Sequence, residues 1–252
     1  MINQILIAGY QGPKSIHTKS IKYFIDNINN EFKVNYAMDI TVNGEKASSL
    51  IDKTINKKID ISYLLSSYYE SILPEVKILD LPYFFDSRKE AYNLLKSDFF
   101  NFINNKLSNH NLKLLDFWDN GVRHFSSQKI IEQPQDCMGQ ILRTTPSPLH
   151  IEIFKSFGFT PKPLDVRDFK IAIKENTINA QENPLTNYWN FEVYNYQNFV
   201  TLSSHMFGFC LFVINKDFFE SLNAKQQEKI LEFSLKSTKF QRDLALNEDV
   251  II

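Results

Sequence analysis

Two arginines and one asparagine-rich stretch hold the side chains best suited to chemistry. Arg123 stands in GVRHF and Arg143 in QILRTTPSP, each on an otherwise apolar or neutral strand-like segment. A guanidinium offers a rigid fork of N–H donors matched to a carboxylate, and it stays charged when desolvated. Charged groups are seldom buried without a partner, so each arginine calls for a carboxylate, either from the protein as a structural salt bridge or from a ligand. The third feature is 179-NAQENPLTNYWNF-191, where Asn179, Gln181, Glu182 and Asn183 precede Pro184 and an aromatic run. The residue before a proline is pushed out of helical backbone, and proline is favoured at the first helical position. The spacing therefore predicts Asn183 as the N-cap and Pro184 as the first residue of a helix. The free N–H groups and positive dipole end of such a helix suit an anion, while an ordinary capped helix, with Glu182 beside it, is the competing account.

Signals for catalysis are missing. No GxSxG elbow, P-loop or GxGxxG occurs, and seven glycines leave little room for a phosphate-cradling loop. The five histidines, at 17, 110, 124, 150 and 205, show no metal-ligand spacing, and only His124 and His205 are tempting as acid or base groups. No enzyme, metal or cofactor is expected.

The elements that must position these groups alternate. 4-QILIAGY-10 reads as a strand, 15-SIHTKSIKYFIDNINNEF-32 as an amphipathic helix, 33-KVNYAMDITV-42 as a strand, 45-EKASSLIDKTINKKI-59 as a helix and 60-DISYLLSS-67 as a third strand. Short connections of this kind favour right-handed crossovers and a largely parallel sheet, with ligands beyond the carboxyl ends of the strands. That rule places Tyr10 and Ser66 near a site, or at the start of ordinary loops. Asp86 or Ser87 is the expected cap of the next helix, 111-NLKLLDFWDNGVRHFSS-127 is strand-like on both sides of Asp119-Asn120-Gly121, and Ser147 with Pro148 opens another helix. A further helix over 167–178, a strand over 179–182 and a long strand-forming run over 199–219 follow. The last helix, 223–250, has an Asn223–Gln226 capping box and an inner face of Ile230, Leu231, Phe233 or Ser234, and Leu235. The pattern describes two α/β lobes joined by crossing strands.

Composition limits the partners. With 252 residues, 43% of them hydrophobic, the chain has ample material for a packed core. A net charge of −1 argues against nucleic acid and anionic membranes as partners, and Lys57 and Lys58 read as a solvated face. Cys137 and Cys210, far apart and without CxxC spacing, read as unpaired buried thiols. No apolar run approaches the ~20 residues of a membrane span. Met1 is followed almost at once by the first strand, which fits either a cytoplasmic protein or an exported one whose leader is absent from this chain.

Taken together, 74-PEVKILDLPYFF-85, 121-GVRHFSSQKIIEQPQDCMGQILRTTPSP-148, 155-KSFGFTPKPLDVRDFKIAI-173, 179-NAQENPLTN-187, 203-SSHMF-207 and 221-SLNAKQQEKILEF-233 resemble the solute-binding proteins of TRAP (tripartite ATP-independent periplasmic) transporters. The resemblance implies a periplasmic-binding-protein-like α/β fold. One lobe would be 1–122 plus 211–252 and the other 123–210, with crossing strands near 120–125 and 205–213 as the hinge. It implies a periplasmic, monomeric receptor that closes over a small organic acid and docks on TRAP membrane subunits; a ligand-sensing or adaptor protein of the same fold is the alternative. By that likeness Arg143 makes the main salt bridge to the ligand carboxylate, Arg123 assists, and Asn183 hydrogen-bonds the same group. Glu182, Tyr10, Ser66, Trp118 and Phe207 fall on pocket-wall positions that vary with substrate. Lys170, Asp168 and Asn179 depart from the family's usual Tyr, Glu and Asp, and the family continues with further helices beyond the point where this chain ends, Ile252.

Overall fold

The computed structural model describes residues 3–251. Apolar residues three and four apart, Ile21, Phe24 and Ile28, turn one face of α1 (Ile16–Ile28) into the core behind β1 (Asn3–Ala8). β2 (Phe32–Ala37) pairs parallel with β1, α2 (Ser49–Ile55) crosses over, and β3 (Ile61–Leu65) pairs parallel on the other side of β1. The strand expected to run to Val42 stops at Ala37, because Asp39 caps a single 3-10 turn over Ile40–Asn43 that ends on Gly44 at φ 80°. α3 (Arg88–Leu95), capped by Ser87, and α4 (Asp98–Ser108) lead into β4 (Leu112–Ser127). A second series follows: β5 (Ile141–Thr144), α5 (Pro148–Ser156), β6 (Thr160–Pro163), α6 (Val166–Lys174), β7 (Ala180–Pro184) and α7 (Leu185–Asn190). The long strand β8 (Phe199–Asn215) then returns through the molecule, giving way to α8 (Lys216–Ser221) and α9 (Ala224–Ile251).

All eight strands form one sheet in the order β2-β1-β3-β8-β4-β7-β5-β6. Pairing is parallel within each outer part, but β8 runs antiparallel to β3 and β4, and β4 antiparallel to β7. The sheet is therefore mixed rather than largely parallel, because β4 and β8, 16 and 17 residues long, cross from one part to the other. The core divides accordingly. The larger cluster draws on β1, α1, β3, the first half of β4 and the second half of β8, while smaller clusters gather around Phe125, Leu142 and Phe154 and around Phe169, Ile173 and Ile178. Two α/β lobes share one sheet.

Asp119-Asn120-Gly121 does not break the chain into two strands; it is a bulge inside β4, with a register shift against β8 between Asp119 and Gly121. Gly121 sits at φ 104°, and a Cβ there would come 2.7 Å from the Pro184 side chain, so only glycine fits. The bulge is pinned from outside: Gln241 on α9 exchanges hydrogen bonds with the Asp119 backbone, while Arg88 and Tyr92 donate to its carboxylate.

The inner face of α9 differs from the expected one. Ile230 and Ser234 are buried, but Leu231 and Leu235 are exposed. The buried stripe continues through polar Ser237, Thr238, Gln241 and Arg242, which bond to Ser20, Trp118, Asp119 and Phe117 of α1 and β4. A face held by hydrogen bonds carries no hydrophobic period, which is why pattern reading rotated it. The reciprocal Asn223–Gln226 cap is present, and both cysteines are free and buried.

Candidate functional site

The carboxyl ends of β1 and β3 face the second lobe across a narrow, partly open cavity. Tyr10, Gln11 and Tyr68 follow those two strands, Leu65 ends β3, and Asn120 joins them from the β4 bulge. The opposite wall comes from Arg143 and Thr145 after β5, Val166 at the start of α6, Asn183 on β7, and Asn187 and Phe191 of α7 and its C-cap. A wider cleft adjoins it through Gln11, Asn187 and Phe191, with Lys14 and Lys170 among its walls.

Arg143 is 2% exposed, and its Nε and Nη2 donate to the Leu164 carbonyl at 3.1 and 2.7 Å, which fixes the plane of the fork. Its guanidinium carbon lies 5.0 Å from the centre of the Phe169 ring. Among the described residues, no carboxylate forms an ion pair with it. Burial pushes the Tyr68 phenol up to about 12 even though the Arg143 charge pulls the other way, and burial raises Tyr10 well above its ordinary value. Both remain neutral O–H groups near neutral pH.

Arg123 is different. It is 1% exposed, and its Nε donates to Glu182 Oε2 at 2.5 Å and its Nη2 to the Glu182 carbonyl at 3.0 Å. Neither Arg123 nor Glu182 lines the cavity; antiparallel pairing of β4 with β7 lays them side by side behind it. Burial alone raises the Glu182 carboxyl, but the Arg123 charge outweighs it and holds the group well below the usual carboxylate range. Burial likewise lowers His205, whose Nε2 is 3.9 Å from Glu182, and lowers His124 to about 4. Neither histidine lines the cavity.

Asn183 does line it, but as a strand residue. β7 stays paired with β4 through Pro184, opposite Arg123, so the proline itself takes the N-cap position at φ −60° and ψ 153°, without a side-chain cap. The predicted Asn183 cap is thus one residue early. Asn183 Nδ2 donates to Gln181 Oε1 at 2.5 Å, and its Oδ1 accepts from Asn187 at 3.3 Å. Of the other expected residues, Ser66 lies behind the wall with its hydroxyl on Asp80 at 3.0 Å. Trp118 is buried in the larger core, stacked on Phe212 at 4.4 Å with its indole N–H on Thr238. Phe207 is half-buried against Phe85. Gln11, Tyr68, Asn120, Thr145 and Asn187 were not singled out by the sequence. Gln11 and Tyr68 sit just past the strand ends that pointed to Tyr10 and Ser66, and Asn187 one helical turn past Asn183.

Two carboxylates tie the lobes together beside the cavity. Asp165 caps α6 by accepting from Arg167 N–H at 3.1 Å, and also accepts from the amides of Ala47 and Ser48 at 3.0 and 3.1 Å. Glu70 accepts from the Ser147 hydroxyl and from Leu149 N–H at the start of α5.

The family model for bacterial extracellular solute-binding proteins of family 7, DctP, matches residues 7–251. The chain belongs to that family. It is 30% identical over 251 residues to an uncharacterized protein of Haemophilus influenzae, covering 97% of this chain and 76% of that one. It is 27% identical over 219 residues to the 2,3-diketo-L-gulonate-binding periplasmic protein YiaO of Escherichia coli, covering 86% of this chain and 66% of that one, just under two-thirds of its length. The sugar acid binding protein DctPAm of Advenella mimigardefordensis, solved in complex with galactonate, superposes with a TM-score of 0.93 at 25% identity, over 99% of this chain and 82% of that one. Family 7 membership confirms the resemblance to TRAP solute-binding proteins and the two-lobed fold that it implied.

Proposed function

We propose that this chain is a periplasmic receptor that captures a small organic acid between its lobes and delivers it to TRAP membrane subunits without chemical change. The observation that carries the reading is Arg143, a buried guanidinium lining the cavity with its orientation fixed and no ion pair to a carboxylate among the described residues. A cation so placed is costly unless a ligand anion completes it. Charge-assisted hydrogen bonds contribute about 1.5–3 kcal/mol each, and two of them supply much of the roughly 8 kcal/mol of a micromolar complex. Asn183 and Tyr10 border the same space, while Arg123 and Glu182 form a paired scaffold behind it. The galactonate complex of DctPAm and the diketogulonate binding of YiaO support an organic acid as cargo.

The divided core supports lobes at 1–122 with 211–252 and at 123–210, the crossing strands near 120–125 and 205–213 forming the hinge. Ligand contacts from both walls favour the closed form, which docks as a monomer on the membrane partner. A thermal-shift screen of organic acids tests the reading. An acid present at a hundred times its Kd adds about 2.7 kcal/mol to native stability. At roughly 2–4 °C per kcal/mol this raises the melting temperature by about 5–10 °C. No shift with any carboxylate would remove the proposal.

A further inference from the structure

The Leu164 carbonyl and the Phe169 ring, which hold the Arg143 guanidinium by its edge and its face, belong to one short segment. β6 ends at Pro163 beside Thr144, and the chain leaves the sheet with Leu164 N–H donating to the Thr144 carbonyl at 3.0 Å. Phe169 lies one turn into α6, its N–H on the Asp165 carbonyl at 3.1 Å.

The opposite lobe grips the same segment. Asp165, 4% exposed, accepts from the amides of Ala47 and Ser48. Val166 N–H donates to the Tyr68 hydroxyl at 3.3 Å, and Arg167 Nη1 donates to the Gly44 carbonyl at 2.9 Å. Of four consecutive residues, the first holds the Arg143 fork and the next three hold the far lobe. The peptide unit joining Leu164 to Asp165 is a rigid plane, so the direction of the Leu164 carbonyl follows the position of Asp165. Glu70 offers a contrast: it too spans the lobes, onto Ser147 and Leu149, but neither of these is bonded to the segment that holds Arg143.

We infer that Asp165 is a positioning residue that couples closure of the lobes to the orientation of Arg143. With Ala47 and Ser48 engaged, the Leu164 carbonyl and the Phe169 ring are fixed, and the fork presents one plane to a carboxylate. With the lobes parted, the segment loses three of its holds, and ordering the guanidinium then opposes binding. Such coupling is reciprocal, so a carboxylate on Arg143 strengthens the Asp165 clasp to the same extent. Asp165 does not line the cavity, and its effect on a ligand runs through Arg143. The inference rests on the reading of Arg143 as the carboxylate anchor.

Asp165→Ser isolates the clasp. Serine caps a helix about as well as aspartate does, but its single short hydroxyl cannot serve Arg167, Ala47 and Ser48 together. By charge alone, removing a carboxylate near the anchor would tighten an anion; the coupling predicts the opposite sign. Calorimetry on the full chain uses galactonate and succinate as probes, with each variant checked for a cooperative melt. Asp165→Ser is expected to bind the tighter probe about tenfold more weakly than the parent. Lysine is a point charge with no fork to orient, so in an Arg143→Lys background the same change is expected to alter affinity by less than about twofold. Glu70→Ala, which loosens closure alone, should cost the same factor in both backgrounds. Nuclear magnetic resonance of the probe-saturated protein reads Arg143 itself through its Nε–H signal, identified by its loss in Arg143→Lys. That proton is expected to exchange with water about tenfold faster in Asp165→Ser than in the parent or Glu70→Ala. An equal penalty for Asp165→Ser in both backgrounds, unchanged affinity in the parent background, or unchanged exchange would overturn the inference and leave the anchor standing. Parental affinity in Arg143→Lys, or binding of no acid at all, would overturn the anchor and the inference with it.

Discussion

Replacing Glu182 by glutamine keeps the side chain's shape and removes the charge that compensates Arg123. Arg123 is 1% exposed and Glu182 fully buried, and the pair meets at 2.5 Å, so solvent screens neither group. Removing one partner of a buried ion pair costs about 3–5 kcal/mol, because the other charge is left without compensation. Glutamine still offers a carbonyl to Arg123 Nε, which puts the expected loss near the lower bound, about 3 kcal/mol. For a chain of this size that lowers the melting temperature by roughly 6–12 °C. The pH dependence has a definite sign. Burial acts to raise Glu182 but Arg123 pulls it well below the ordinary range, so its contribution is complete above the unfolded value of about 4.3 and drains away as pH falls toward the folded value. Calorimetric scans of parent and Glu182→Gln from pH 7 to pH 3 should therefore show a wide gap at pH 7 that narrows below about pH 4. The double change Arg123→Met with Glu182→Leu should regain much of the lost stability, since no lone charge remains. Equal melting temperatures for parent and Glu182→Gln at pH 7 would refute the idea that Glu182 is Arg123's obligatory partner.

Two other outcomes follow from the geometry. Asp165→Ala removes the acceptor for three backbone amides, two of them in the opposite lobe, and should cost about 1–3 kcal/mol while opening the cleft; melting curves and the radius of gyration from X-ray scattering check both parts. Burial pushes the Cys210 thiol up to about 12 and Cys137 to about 11, so neither should react with a maleimide at pH 8 in the folded protein, whereas both should label after unfolding; mass spectrometry of the native protein reads the result.

Much of this was legible in the sequence, and the failures have local causes. Strand ends pointed to the cavity through Tyr10, because the position of a parallel strand's carboxyl end is set by topology alone. Arg143 was legible as a strand cation that burial would leave in need of a partner, though not that the Leu164 carbonyl and the Phe169 ring would orient it. The partner of Arg123 was not, because it lies 59 residues away and meets it only once β4 and β7 pair antiparallel. Asn120 stayed hidden because Asn-Gly beside an aspartate reads as a turn, and only pairing of both flanks to β8 makes it a bulge. That same bulge explains Trp118: a regular strand would send residues 118 and 120 to one side, but the extra residue parts them, leaving Trp118 in the core and Asn120 on the cavity. Pro184 misled by one position since a residue at the end of a paired strand satisfies proline's extended backbone as well as a helix's first turn does.

The most direct test of the account is the affinity of Arg143→Ala for whichever organic acid stabilises the parent, measured by calorimetry on protein shown to melt cooperatively. Loss of two charge-assisted hydrogen bonds, at about 1.5–3 kcal/mol each, predicts at least a hundredfold weaker binding. An affinity within threefold of the parent's would contradict it, and Arg143 would have to be structural.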